Sequence, residues 1–392
     1  MHSKCERSIS KYLAQHAEKR SIAIANGIRP PKKHYALVIP AYDEQPDFLI
    51  RLSEHHDAAN MLLILVINEP IGQTPNNGNQ QLIAWLNDNA HKRAHNAGSM
   101  SGQLGELAFI VMECVGEHSL PIKQGVGLAR KLGVDLAVAL IHDELIERPW
   151  IYCTDADSHL PHNYFSHSQE IAATCSAMTF DFKHIGGDNS VAKATTIYES
   201  QLRFYQKQLK HAGSPYAFCS LGSCMAVSMK HYCQVRGFPK RPAGEDFYLL
   251  NKLAKVGDVL EVNDVVVELS ARLSERVPFG TGPATSKILS ALEQNLTPSY
   301  YNEAIFTELK QVLDSIDALW LDENSTLNQF HHSTRNALEA AGIREYLIKR
   351  RTQDKSIEQF RQHFHHWFDA FQTLKFVHRL QASRFPPAAF TL

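Results

Sequence analysis

The chain has no excess of charge in either direction. Its 40 lysines and arginines stand against 41 aspartates and glutamates, a formal net charge of -1 over 392 residues. Such a balance excludes a chain-wide basic field of the kind that draws a protein to nucleic acid, so no nucleic-acid partner is expected. It also lacks a CxxC pair. The seven cysteines, Cys5, Cys114, Cys153, Cys175, Cys219, Cys224 and Cys233, are scattered and odd in number, which points to free thiols in a reducing compartment. Cys219 and Cys224 have no histidine at zinc-site spacing. No apolar run approaches membrane-spanning length, and the opening MHSKCERSISKYLAQHAEKR has no apolar signal core. A cytoplasmic protein is therefore expected, one that could sit at the inner face of a membrane. Internal repeats and low-complexity tracts are absent.

What is present is an ordinary globular composition, 44% hydrophobic and 21% charged, with enough length for a large domain and a smaller one. Residues 8–26 have helical character, ended by Gly27 and Pro30-Pro31. YALVIPAY (35–42) reads as a buried strand broken by Pro40, and a helix is predicted from Pro46 to Ala59. MLLILVIN (61–68) and LAFIVMEC (107–114) read as further strands, with a helix over 80–96 and a Gly/Ser loop over 98–105 between them. Residues 125–145 are strongly helical, and WIYCT (150–154) is a fourth strand. Further on, 172–182 reads as a strand, 191–211 as a helix, 217–228 as strand-turn-strand and 247–257 as a helix. Strands alternating with helices indicate an α/β fold with a mixed, mainly parallel sheet flanked by helices. After Pro283 glycine and proline nearly vanish and the period is helical. The expected organisation is a helical extension over 1–33, an α/β domain over 34–284 and a helical region over 285–392.

In parallel sheets ligands bind beyond the carboxyl ends of the strands. The loops after Ile39 and Ile67 and the turn TDADS (154–158) fall on that rim. Asp155 and Asp157, spaced i, i+2 at a strand end, can face the same side. Carboxylate oxygens at such a place suit a hard divalent cation. Arg272 and Arg276, in SARLSERVPFGTG (270–282), carry the guanidinium geometry that pairs with phosphate oxygens.

Five motifs occur in order: LVIPAYDE (37–44), KQGVGLARKLGVDLAV (123–138), TDADSHLP (154–161), LGSCMAVS (221–228) and AGEDFYLLNKL (243–253). Together they resemble the successive motifs of glycosyltransferase family 2 and its GT-A-fold relatives, across residues 34–280. The resemblance implies a GT-A-like domain that moves a sugar from a nucleotide-diphosphate donor, UDP-linked first among them, to an acceptor hydroxyl, with Mn2+ or Mg2+ as cofactor. It implies that Asp157, with Asp155, holds the metal, and that Asp155 and Ala156 lie near the donor ribose or sugar. Pro40, Ala41, Tyr42 and Glu44, with Asn68 and Glu69 after the second strand, would hold base and ribose. Lys123, Gly127 and Arg130 would meet the base or diphosphate, and Gly222 would lie under the sugar. Asp246, then Glu245, would be the general base of an inverting enzyme.

The chain departs from the relatives at three places. Asn68-Glu69-Pro70 replaces an aspartate-rich turn, no QxxRW motif is present, and no histidine occurs in residues 260–284; Glu268 and Ser270 are the substitutes at hand as a further metal ligand. Two other readings therefore stand beside the first. One is a nucleotidyltransferase, which would normally open with a Gly-rich basic loop that PAYDEQP is not. The other is a nucleotide-sugar-binding scaffold without turnover. In the tail, HFHHWF (363–368), His331-His332, Trp320 and Phe371 fit an amphipathic helical core better than a metal site, and the tail is open to contact with a membrane surface, the acceptor or a second copy.

Overall fold

The computed structural model of the protein describes residues 2–96, 98–169, 171–273 and 280–390. The chain divides into two compact units, one made of Met1–Ala192 with Ser220–Pro283 and the other of Lys193–Cys219 with Ala284–Leu392.

The first unit is built on a ten-stranded sheet. Its strands are β1 (Tyr35–Ala41), β2 (Met61–Asn68), β3 (His91–Asn96), β4 (Ser99–Leu104), β5 (Leu107–Cys114), β6 (Trp150–Cys153), β7 (Ser158–His159), β8 (Cys175–Ile185), β9 (Met225–Ser228) and β10 (Asp258–Ser270). The order across the sheet is β3-β4-β5-β2-β1-β6-β9-β8-β10-β7. Strands β5, β2, β1 and β6 are mutually parallel, as are β8 and β10, whereas β4, β7 and β9 run against their neighbours. Helices α1 (His2–Gln15), α2 (Lys19–Gly27), α3 (Asp47–Glu54), α4 (Asn77–Asn89) and α5 (Gly125–His142) come before β6, α6 (Asn189–His211) follows β8 and belongs from Lys193 onward to the second unit, and α7 (Met229–Gln234) and α8 (Glu245–Leu253) lie between β9 and β10. The α/β architecture with a mainly parallel central sheet and C-terminal helices is as the sequence predicts.

The central strands are near-continuous apolar runs because both of their faces are covered. From β1 the chain passes outward through β2 to β5, then returns through α5 to β6 on the other side of β1. The strand order reverses between β1 and β6, and the crevice beyond their carboxyl ends is where open α/β sheets take their ligands.

Helix α5 is the core of this unit, with every residue from Gly127 to Ile141 buried. It lies directly on the sheet: a Cβ at Gly133 would come 2.5 Å from Val38 Cγ1 and 3.1 Å from Val66 Cγ2. On its other side it takes the N-terminal helices through a buried polar cluster. Asp135, fully out of water, accepts hydrogen bonds from the Tyr12 and Tyr232 hydroxyls, from the Glu18 amide at 2.7 Å and from Lys131 at 2.9 Å. Residues 8–26 form two helices rather than one, because the chain turns at 16–18 to offer that amide to Asp135.

Other elements also differ from expectation. Pro40 does not break β1; it pairs with Val66 on one side, and β6 reaches only Ala36–Val38 on the other, so no ladder bond is lost. The helix expected over 80–96 is α4, which ends at Asn89, and β3 and β4 pair with each other as antiparallel strands where helix and loop were expected. Its outer strand, HKRAHN, is exposed along its length, and its charges suit an unpaired edge. Helix α3 stops at Glu54, and residues 217–224 contain no strand; only β9 follows. The long strand β10, where no strand was expected, pairs along β8 with register shifts at two points.

The second unit is helical, with one two-stranded ribbon between residues 299–300 and 388–389. Phe306, Phe360, Phe364, Phe368 and Phe376 form its core, with Trp320 and Trp367 half-buried against them. Phe371 is half-buried beneath the Lys375 ammonium. His331 accepts from the Ser333 amide at the start of a helix, and His363 pairs with Asp354 at 2.7 Å.

Gly127 yields a direct test of packing. A Cβ there would lie 2.5 Å from Pro239 O and 2.6 Å from Arg241 N, both backbone atoms. Gly127→Ala is expected to cost about 1–3 kcal/mol of stability in urea unfolding, since backbone has to move.

Candidate functional site

The site is assembled at the carboxyl ends of β1 and β6. Strand β6 ends at Cys153, and Thr154 begins the acidic turn by donating its hydroxyl to Ser223 O at 2.9 Å. This ties the turn to the residues before β9. Arg51 of α3 donates to Ala156 O at 3.3 Å, and the Ser270 hydroxyl donates to Asp157 O at 2.9 Å. The backbone of 155–157 is thus held from three sides while its two aspartate side chains stay part-exposed, at 39% and 23%.

Beneath the turn lies Arg130, one turn into α5 and 3% exposed. Its Nε donates to Glu245 Oε1 at 2.8 Å and its Nη2 to Asp155 Oδ1 at 2.6 Å. The two carboxylates hold this guanidinium charged despite its burial, and its pKa is raised. The backbone of Gly222 is pressed against the same group; a Cβ there would come 2.5 Å from Nη2. The third nitrogen, Nη1, is buried with no hydrogen-bond partner. A buried donor without an acceptor is uncommon in folded proteins.

A second arginine faces the turn from the end of β10. Arg272 donates to both oxygens of Glu44, at 2.6 and 3.2 Å, and its Nε lies 2.8 Å from Asp157 Oδ2. Asp157 is pushed up to about 6, first by burial and then by the charge of Asp155; Arg272 opposes the shift. The turn therefore carries two neighbouring carboxylates that repel each other, each fastened to an arginine from a distant part of the chain.

Glu245 and Asp246 open α8. Gly244 precedes them at φ 69°, a left-handed conformation that suits glycine, and so turns the chain into the helix. Glu245 is buried against Arg130. Asp246 is half-buried and accepts from the Phe247 amide at 2.7 Å. Burial and the adjacent Glu245 charge push its carboxyl up to about 7.

The structure thus brings Glu44, Arg130, Asp155, Asp157, Gly222, Glu245, Asp246 and Arg272 into one region. Other predicted residues are placed differently. Pro40 and Ala41 are buried within β1, and Tyr42 is half-buried just beyond it. Asn68 donates to Ala41 O at 2.9 Å, joining the ends of β1 and β2. Glu69 is 6% exposed and accepts from the Gly116 amide (2.8 Å), the Asn76 amide (3.2 Å) and the Ser119 hydroxyl (3.1 Å). Burial alone would raise its pKa, but these donors outweigh it and hold the carboxyl low. Its oxygens are occupied with shaping the 70–76 and 116–119 loops. Lys123 is exposed in the turn before α5. Gly127 is covered by the backbone of residues 239–241, so the close approach its size permits is made by the protein itself. Glu268 pairs with Lys183 at 2.8 Å. Arg276 lies outside the described residues.

One participant escaped the sequence reading. Asn79, 1% exposed, accepts from the Asp43 amide at 3.0 Å and donates to Asn68 O at 2.9 Å. It couples the loops after β1 and β2, and Gly78 beside it leaves room for Asp43, whose Oδ1 would lie 2.4 Å from a Cβ. The only signal was NNGN at the start of a helix, which reads as capping.

Cys114, Cys153 and Cys175 carry free thiols, all buried. Among the described residues no helix is long and apolar enough to cross a membrane.

No known family model matches the sequence, and no curated protein matches it. Among solved structures, the chain is similar to residues 1–349 of S. aureus TarS in complex with UDP-GlcNAc, at 12% identity, over 84% of this chain and 89% of that one, with a TM-score of 0.41. A likeness at that score does not establish a shared fold.

Two measurements probe the site. Removing Arg130 leaves the buried Glu245 without its counter-charge, so Arg130→Ala is expected to lose roughly 3–5 kcal/mol in denaturant unfolding. The second concerns Asp246, whose pKa is raised in the folded chain. Its native form binds the proton more tightly than the unfolded chain does, so stability from this group is complete at acid pH and is lost as pH rises through about 7. Asp246→Asn should flatten that part of the stability–pH curve, and an unchanged slope between pH 4 and 7 would contradict the assignment.

Proposed function

We propose that the protein is a glycosyltransferase that moves a sugar from a nucleotide-diphosphate donor to an acceptor hydroxyl, with a UDP-linked donor the first to test. The observation that carries this reading is the pair Asp155 and Asp157 at the strand-order reversal, each bound to an arginine, with a proton-accepting carboxyl of pKa about 7 at the adjoining helix start.

The residues fit a divalent cation: Asp157 is held up to about 6 by burial and by Asp155, and a dication would relieve that repulsion. Asp157, with Asp155, would hold it, and a bound Mn2+ or Mg2+ would supply Lewis-acid neutralisation of a diphosphate. Arg272 is 37% exposed and presents a planar fork to the rim. A diphosphate can take that fork from Glu44 by the same bidentate geometry. Arg130 is a positioning residue: it orients Asp155 and Glu245 from below.

For an inverting transfer, Asp246 takes the proton of the acceptor hydroxyl as that oxygen bonds to the anomeric carbon. The bond from that carbon to the diphosphate oxygen breaks, and its electron pair leaves on the nucleoside diphosphate, where Arg272 meets the charge. A base of pKa about 7 suits this task near neutrality. Gly222 keeps the Arg130 guanidinium seated under the turn, because any side chain there would displace it.

A thermal-shift screen of nucleotide sugars, with and without manganese, tests donor and metal together. Asp157→Asn is expected to abolish the manganese-dependent shift, whereas retention of the full shift would remove the metal assignment. With a donor in hand, Asp246→Asn should lower turnover by about 10²–10⁴-fold with donor affinity kept, and the ascending limb near pH 7 should disappear. Metal-dependent binding with no turnover for any acceptor or for water would make the protein a donor-binding scaffold.

A further inference from the structure

A cluster of imidazoles lies away from the acidic turn. Helix α3 ends at Glu54 and is followed at once by His55, His56 and Asp57, while His162 stands in the segment just after β7. His56 Nδ1 and His162 Nδ1 face each other at 3.2 Å. In an ion bound tetrahedrally at about 2.0–2.1 Å per nitrogen, two ligand nitrogens lie about 3.3 Å apart. The other nitrogen of His56, Nε2, is 3.1 Å from Asp57 Oδ2, and Asn60 Nδ2 reaches the second oxygen of that carboxylate at 3.4 Å. A ring nitrogen bonded to a carboxylate leaves the opposite nitrogen bare toward a metal, the usual outer support of a histidine ligand.

The surroundings hold this pair in place. His55 Nδ1 accepts from the Asp57 amide at 3.2 Å, and its Nε2 lies 3.3 Å from Pro161 O, the carbonyl just before His162. Both of its nitrogens are engaged, so His55 acts as a strut between the two arms of the cluster. His55, His56 and Asp57 can each place one ligand atom within 4.8 Å of the others. His56 is 48% exposed, which leaves an open path for an ion.

We propose that His56 and His162 form a binding site for a divalent transition metal of the zinc class, supported by Asp57, with the remaining coordination positions open to water. Imidazole nitrogens select such ions over Mg2+ or Ca2+, which require oxygen. The site is thus chemically distinct from the Asp155–Asp157 turn and does not depend on the proposed transfer activity. It clips the end of α3 to the segment that follows that turn, and α3 already reaches the turn through the bond from Arg51 to Ala156 O. Occupancy therefore adds stability to the element that bounds the acidic crevice.

The test uses the full chain stripped with EDTA and titrated with Zn2+ against a chromophoric chelator at pH 7.5, beside the double variant His56→Gln/His162→Gln. The variant should bind one zinc fewer per chain, excess Mg2+ should not restore or compete for that equivalent, and Asp57→Asn should weaken it about 10–100-fold. Melting in EDTA should be the same for both proteins because the substituted side chains lie at the surface; if the double variant melts lower, His162→Gln alone is titrated instead. Equal zinc stoichiometry and affinity in wild type and variant overturns the proposal and leaves a plain hydrogen bond between two surface histidines.

Discussion

Arg130 is the constraint around which the candidate site is organised. A guanidinium 3% exposed survives burial only with counter-charges in contact, and it has two, Glu245 from α8 and Asp155 from the turn after β6. Three separated segments must therefore meet at one point. Gly222 comes from a fourth and has to be a glycine, since a Cβ there would come 2.5 Å from Nη2 of the guanidinium. The acidic turn is consequently held from below by a fixed positive charge, and its outward side is left to Asp157, Arg272 and whatever ligand arrives.

The helix that carries Arg130 explains why so much rests on one element. Buried from Gly127 to Ile141, α5 has no solvent side over that span, so its polar residues there can be kept only if each is answered. Arg130 is answered by the site. Lys131 and Asp135 are answered by each other, by Tyr12 and Tyr232 and by the Glu18 amide, and so draw α1 and α2 onto the helix. Gly127 and Gly133 let backbone and sheet come close on two further sides. One helix thereby sets the sheet, the N-terminal cover and the floor of the crevice.

The two arginines play different parts. Arg130 is sealed in and orients carboxylates; Arg272 is part-exposed, and its pairing with Glu44 and Asp157 offsets part of their negative charge. This difference in burial is the physical basis for proposing a positioning role for one and a binding role for the other.

The amino-acid sequence by itself determined the α/β class, the buried central strands and the place of the acidic turn, because these are local: apolar runs, a helix of unbroken period, and two aspartates one residue apart at a strand end. It also singled out Arg130, Gly222, Glu245 and Asp246 through motif order, and Arg272 through its guanidinium in the 270–282 segment. Only the tertiary structure decided what they do to one another. The pairing of Glu44 with Arg272 spans 228 residues, and no spacing rule reaches that far. The strand pair β3–β4 and the strand at 258–270 form because neighbouring strands present a ladder, which outweighs local helical or loop preference. Glu69 and Gly127, plausible ligand contacts as letters, are consumed by the protein's own backbone. Sequence states which groups are available; burial and the identity of the nearest counter-charge settle which of them remain available to a ligand.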